Sequence, residues 1–97
     1  MNMQNLMSQA MKLQKEVNGI KCELDKSIYT VEKQGVLLEM NGKMEVLKFL
    51  ITDDSLLEDA EILQDVISLT IGEVLAKIAN DKKEKLGKYS SGMEGLI

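Results

Sequence analysis

The sequence predicts an α+β fold in the order α-β-β-β-α, with a three-stranded antiparallel meander between two long helices. Three observations predict it. Apolar residues recur at helical spacing over positions 1–25, alternate with polar ones over 27–51, and return to helical spacing beyond 60. A chain of 97 residues has room for one domain. Its parts are a helical arm (1–25), a sheet (27–51), a short turn leading into a long helix (55–87) and a flexible tail (88–97).

The first helix rests on Met3, Leu6, Ala10, Leu13, Val17, Ile20 and Leu24, whose spacings of three and four make a heptad seam. Met7 and Met11 widen the stripe at its start. Gly19 costs about 1 kcal/mol relative to alanine inside a helix, yet the seam stays in phase on both sides of it. The spacing allows packing on the protein's own sheet or on a partner helix.

Three strands follow. Ser27–Lys33 alternates around Ile28, Tyr29 and Val31, and Val36–Met40 puts Val36, Leu38 and Met40 on one face. Lys43–Ile51 has Leu47, Phe49 and Ile51 on one face and Met44, Val46 and Leu50 on the other. Asn41-Gly42 is the stronger hairpin signal, because both residues tolerate the positive φ of a type I′ turn. Gln34-Gly35 is a weaker one. A third strand apolar on both faces is expected to be covered on both sides, by helices or by a second subunit. Dimerisation would also protect the sheet's edges, and Met44, Val46, Leu47, Phe49 and Leu50 are the candidate interface.

Thr52-Asp53-Asp54-Ser55 breaks the third strand. Ser55 and Glu58 have capping-box spacing, and Asp59 is a second candidate cap. The long helix then carries Ile62, Leu63, Val66, Ile67, Leu69, Ile71, Val74, Leu75, Ile78 and Ala79 on a broad apolar face. Gly87 marks its end. After Ala79 only Leu86 remains to bury, so the tip is expected to project as an exposed arm. Ser90 to Gly95 is expected to be loop.

Composition removes several classes of chemistry. The chain has no histidine, its twelve basic residues are all lysine, and Cys22 is its one cysteine. The usual neutral-pH general base and the commonest metal ligand are therefore missing, and a single thiolate cannot build a zinc site. Asp53, Asp54, Glu58 and Asp59 have capping roles, and no lysine is positioned to complete a carboxylate site. No catalytic residue, metal or cofactor is expected. A single cysteine fits a reducing compartment, and the polar breaks in Met1–Met11 do not make a signal peptide. A cytoplasmic protein with no membrane segment is the expectation.

The net charge of −4 conceals a strong asymmetry. Met1–Cys22 carries +2, Lys77–Ile97 carries +2, and the stretch between them carries −8. Both ends are basic. The lysines concerned are Lys12, Lys15 and Lys21 on the first helix and Lys77, Lys82, Lys83, Lys85 and Lys88 on the second. Such lysines also have the spacing of solvated pairs, as Asp81 with Lys85.

The opening Met-rich helix, Gly35-Val36-Leu37-Leu38-Glu39-Met40-Asn41-Gly42-Lys43 and Ile51-Thr52-Asp53-Asp54-Ser55-Leu56-Leu57-Glu58-Asp59 resemble the YbaB/EbfC family of bacterial nucleoid-associated proteins. Leu63-Gln64-Asp65-Val66-Ile67, Lys83-Glu84-Lys85-Leu86-Gly87 and Ser91-Gly92-Met93 extend the resemblance over nearly the whole chain. It implies a tweezer-like homodimer that grips double-stranded DNA in the nucleoid with its helical arms, without catalysis, cofactor or small-molecule substrate. The eight lysines named above then become the candidate DNA contacts. Family members often carry arginine in the arms. Lysine cannot make arginine's bidentate fork to guanine, which implies weak sequence selectivity. The alternative is an adaptor dimer that grips another protein through Met1, Met3, Met7 and Met11.

Overall fold

Alternation of apolar side chains makes the middle strand the centre of the molecule. A computed structural model describes residues 3–89 and contains α1 (Met3–Lys26), β1 (Ile28–Lys33), β2 (Val36–Asn41), β3 (Val46–Ile51) and α2 (Ala60–Leu86). Two short 3₁₀ turns, Asp54–Glu58 and Gly87–Tyr89, flank α2. The sheet is antiparallel in the order β1-β2-β3. Val31 pairs with Leu38 and Tyr29 with Met40, while Val36 pairs with Ile51 and Leu38 with Phe49. Paired residues share a face, so Leu38 and Met40 gather apolar neighbours from both sides and Val36 gains Ile51 from β3. The α+β meander read from the sequence is the fold observed. The tail expected from Ser90 onward lies outside the described residues, and Lys88 and Tyr89, expected in that tail, belong to the second 3₁₀ turn.

The two hairpins reverse the expected ranking of turn signals. The type I′ geometry belongs to Gln34-Gly35, with φ of 49° and 94°, and not to Asn41-Gly42. Gly35 is also a site of close approach, since a Cβ there would lie 2.6 Å from that of Asp53. At the second hairpin the positive φ falls on Met44, at 66°. The Asn41 carbonyl accepts from the Met44 N–H (3.0 Å), and its Oδ1 accepts from the N–H groups of Lys43 (2.9 Å) and Glu45 (3.0 Å). This wider loop consumes Lys43–Glu45, so β3 starts at Val46 and not at Lys43, with a bulge opposite Glu39 and Met40. Gly42 is needed for contact. It is buried against the end of α1, where an added Cβ would stand 1.8 Å from the Leu24 carbonyl oxygen.

The turn after β3 also corrects the expectation. Ser55 is a donor and not a cap: its N–H and hydroxyl donate to Asp53 Oδ1 at 3.0 and 2.7 Å. Asp53 thereby caps the 3₁₀ turn, and Asp59 caps α2 by accepting from the Ile62 N–H at 3.2 Å. A carboxylate also suits the positive end of the helix dipole.

One helix then touches three successive apolar clusters. Val66 packs with Val36 and Leu56, Val74 and Ile78 with Val31, Leu38 and Met40, and Leu86 with Val17 and Leu24. The last cluster overturns the idea that α2 ends as a free arm. Leu86 is only 1 % exposed, so the end of α2 and the second half of α1 form a two-helix stem. The free rod is the start of α1, where residues 3–13 are all exposed. The result is elongated, 69 × 20 × 14 Å.

Within one copy of the chain β3 is not covered as expected. Met44, Val46, Leu47, Phe49 and Leu50 are 43–59 % exposed. On α2, Ile62, Leu69, Ile71 and Leu75 are exposed as well.

Two predictions concern this frame. Gly42→Ala should destabilise the fold by about 2 kcal/mol or more, since the contact is backbone and cannot swing aside; a denaturant midpoint equal to wild type would contradict it. The second concerns Tyr29, whose hydroxyl donates to Asp81 Oδ2 at 2.6 Å. That hydrogen bond, aided by Lys85, holds the Asp81 carboxyl below the usual range. A lowered native pKa gives stability that is present above the ordinary carboxylate value and lost as pH falls through the native one. The melting-temperature difference between wild type and Tyr29→Phe should therefore be full above about pH 4–5 and shrink below it. A difference that is constant down to about pH 2 would exclude the linkage.

Candidate nucleic-acid interface

The polar run Asn80–Lys85 after Ala79 puts lysines round the end of α2, and the stem brings α1 alongside. Lys21 and Lys82 come together across the helix pair, lining a pocket of ≈ 210 Å³ with Leu24, Asp25 and Leu86. Lys83 is exposed at the same end. Lys85 Nζ lies 3.3 Å from Asp81 Oδ2, the i,i+4 pair that the spacing suggested. Lys88 Nζ stands 5.0 Å from the centroid of the Tyr89 ring, a cation–π distance. Lys12 and Lys15 project from the free part of α1.

Lys77 is the exception among the eight. Its ammonium donates to the Thr30 carbonyl at 3.0 Å, which docks it on β1 and not on the arm. Lys33, nearby, is paired with Glu73. Edge strand β1 is thus pinned to α2 by Lys33, Lys77 and Tyr29 in succession. Burial raises the Tyr29 pKa first and the Asp81 contact adds to it, so the phenol stays a donor at neutral pH.

Distance separates the two signs of charge. The acids Asp53, Asp54, Glu58, Asp59, Glu61 and Asp65 cluster at the start of α2, and Lys82, Lys83, Lys85 and Lys88 at or beyond its end. A helix of 27 residues spans about 40 Å. That is several times the screening length of about 8 Å at physiological salt, so the acidic end does not cancel the basic one.

Sequence reading paired Asp81 with Lys85 but missed what else surrounds the acids among these lysines. Asp25 and Asp81 lie in the stem, and Asp81 is held there by Tyr29, a partner 52 positions away that no local pattern reveals. Cys22 is a free, exposed thiol. Among the described residues no group of three or more His, Cys, Asp or Glu could hold a metal ion, and no helix is long and apolar enough to cross a membrane.

Known proteins resemble this chain in sequence and in fold. A sequence model of the YbaB/EbfC DNA-binding family matches residues 1–93. A nucleoid-associated protein of Mycoplasmopsis pulmonis is 40 % identical over 94 residues, covering 95 % of this chain and 93 % of the relative. Another, from Legionella pneumophila strain Corby, is 30 % identical over 94 residues, covering 95 % of this chain and 84 % of its own. The crystal structure of an uncharacterized protein from Helicobacter pylori superposes with a TM-score of 0.77 at 24 % identity, over 95 % of this chain and 99 % of that one, a likeness of fold. With sequence and fold in agreement over nearly the whole chain, the protein belongs to the YbaB/EbfC DNA-binding family.

Proposed function

We propose that this chain is a non-enzymatic nucleoid-associated protein whose homodimer grips duplex DNA through the lysines of its helical arms. The observation that carries the reading is the collection of Lys12, Lys15, Lys21, Lys82, Lys83, Lys85 and Lys88 on α1 and the end of α2, beyond the acidic sheet half. The names of the relatives from Mycoplasmopsis and Legionella support a nucleoid location in the cytoplasm. Lys77, docked on β1, contributes least.

A second copy accounts for the apolar surface left by β3 and α2. An edge strand with five exposed apolar residues in and before it is an aggregation site unless a partner covers it. Met44, Val46, Leu47, Phe49 and Leu50 are the core of that interface, and pairing two copies sets two basic stems on one duplex. Binding through ammonium groups is phosphate-driven and weakly selective.

The dimer is tested by sedimentation equilibrium. Wild type should be dimeric at micromolar concentration and Phe49→Asp should shift it toward monomer; a monomeric wild type would refute the assembly. DNA binding is tested by anisotropy titration across salt. If the dimer neutralises roughly four to eight phosphates, log affinity should fall with log salt at a slope of about −4 to −7. Reversing Lys82 and Lys83 to Glu should weaken binding more than about tenfold at ~0.1 M salt with the fold intact. Lys77→Ala and Lys43→Ala should change it little. Salt-independent affinity, or strand lysines outweighing arm lysines, would contradict the mechanism.

A further inference from the structure

The first three turns of α1 differ in chemistry from the rest of the basic surface. Residues 3–13 are exposed on every side, forming a rod about 16 Å long. From Met3 to Lys15 there is no acid; the first is Glu16. Asn5, Ser8, Gln9 and Lys12 fall at i, i+3, i+4 and i+7 on one face, and Lys15 continues it. The opposite face, Met3, Leu6, Ala10 and Leu13, continues the seam that Val17 and Leu24 bury in the stem.

We propose that this amide face of α1 enters the major groove of duplex DNA and reads base edges. The inference rests on the arm-binding reading above and deepens it. A helix about 10–12 Å across fits a major groove about 12 Å wide. Asparagine and glutamine are the side chains that pair bidentately with adenine N6 and N7. Asn5 and Gln9, one turn apart, take that role, while Lys12 and Lys15 hold the flanking phosphates. An acid-free face lets the helix approach the phosphate rims without repulsion. At the end of α2 the amide Asn80 and the lysines stand beside Asp81 and Glu84, so the acid-free face of α1 is the one that supplies the base preference.

The test uses the full-length protein and three duplexes of equal length: A·T-rich, G·C-rich, and the A·T-rich duplex with adenine replaced by 7-deazaadenine. The last loses the N7 acceptor and keeps its minor groove. Wild type should bind the A·T-rich duplex about tenfold more tightly than the other two. Asn5→Ala/Gln9→Ala should bind all three alike with an unchanged salt slope, and circular dichroism should show its helices retained. Lys12→Ala/Lys15→Ala should keep the preference and flatten the salt slope. Equal wild-type affinity for the adenine and 7-deazaadenine duplexes, or an Asn5→Ala/Gln9→Ala variant that keeps the preference, overturns the proposal and leaves this face to a protein partner. Failure of wild type to bind any duplex overturns the arm-binding reading as well.

Discussion

The apolar face of α2 is the constraint on which the rest of the structure depends. Val66, Val74, Ile78 and Leu86 are each nearly or fully buried, in three different clusters. Each fully buried aliphatic side chain contributes roughly 1.5–3 kcal/mol, so this one face is worth as much as the net stability of a small domain. It also joins sheet to stem. The direction of α1, and with it every lysine on the arm, follows from where Leu86 seats between Val17 and Leu24. Gly42 fixes the other end of α1, because only a residue without a Cβ lets the β2–β3 loop lie against the Leu24 carbonyl.

Polar contacts orient this frame without carrying its weight. Thr70 is fully buried, and its hydroxyl donates to the Val66 carbonyl at 2.7 Å, so its burial leaves no unmet donor. Among the described residues, no buried side-chain polar atom lacks a partner. Tyr29, Lys33 and Lys77 line β1 against α2 with contacts in which the exposed ion pair is worth little and the phenol–carboxylate bond more. They fix which way β1 faces. Their consequence for function is negative and useful: Lys33 and Lys77 are occupied in joining β1 to α2, and the lysines of the stem and the α1 rod take no part in that junction.

The order of elements, the buried face of β2, the Asp59 cap and the span of both helices were legible in the sequence, because period and capping are local signals. What misled were signals with two physical meanings. Asn41-Gly42 reads as a two-residue turn, but glycine there serves close packing with α1, and the left-handed residue is Met44. Ser55 has a cap's position, yet Asp53, two residues before it, is the better acceptor and receives hydrogen bonds from both its N–H and its hydroxyl. The polar run after Ala79 reads as a solvated tip, yet Leu86, with Tyr89 packed against the same cluster, docks it on α1. For the candidate interface, the basic ends were visible as charge counts. Pairing Lys21 with Lys82, anchoring Asp81 by Tyr29 and removing Lys77 to the sheet depend on contacts between residues far apart in sequence.

The sharpest test of the central claim, that the helical arms carry the DNA, is hydrogen exchange of the protein with and without a saturating duplex, read residue by residue. Helix amides on the exposed start of α1 open locally because few apolar contacts hold them, and polar, exposed surface at the end of α2 gives a bound duplex room to slow its amides as well. Slowed exchange over residues 3–21 and 80–88, with β1–β3 unchanged, is the predicted result. Slowing confined to β3 and the acidic turn after it, with the arms exchanging as in free protein, would contradict it.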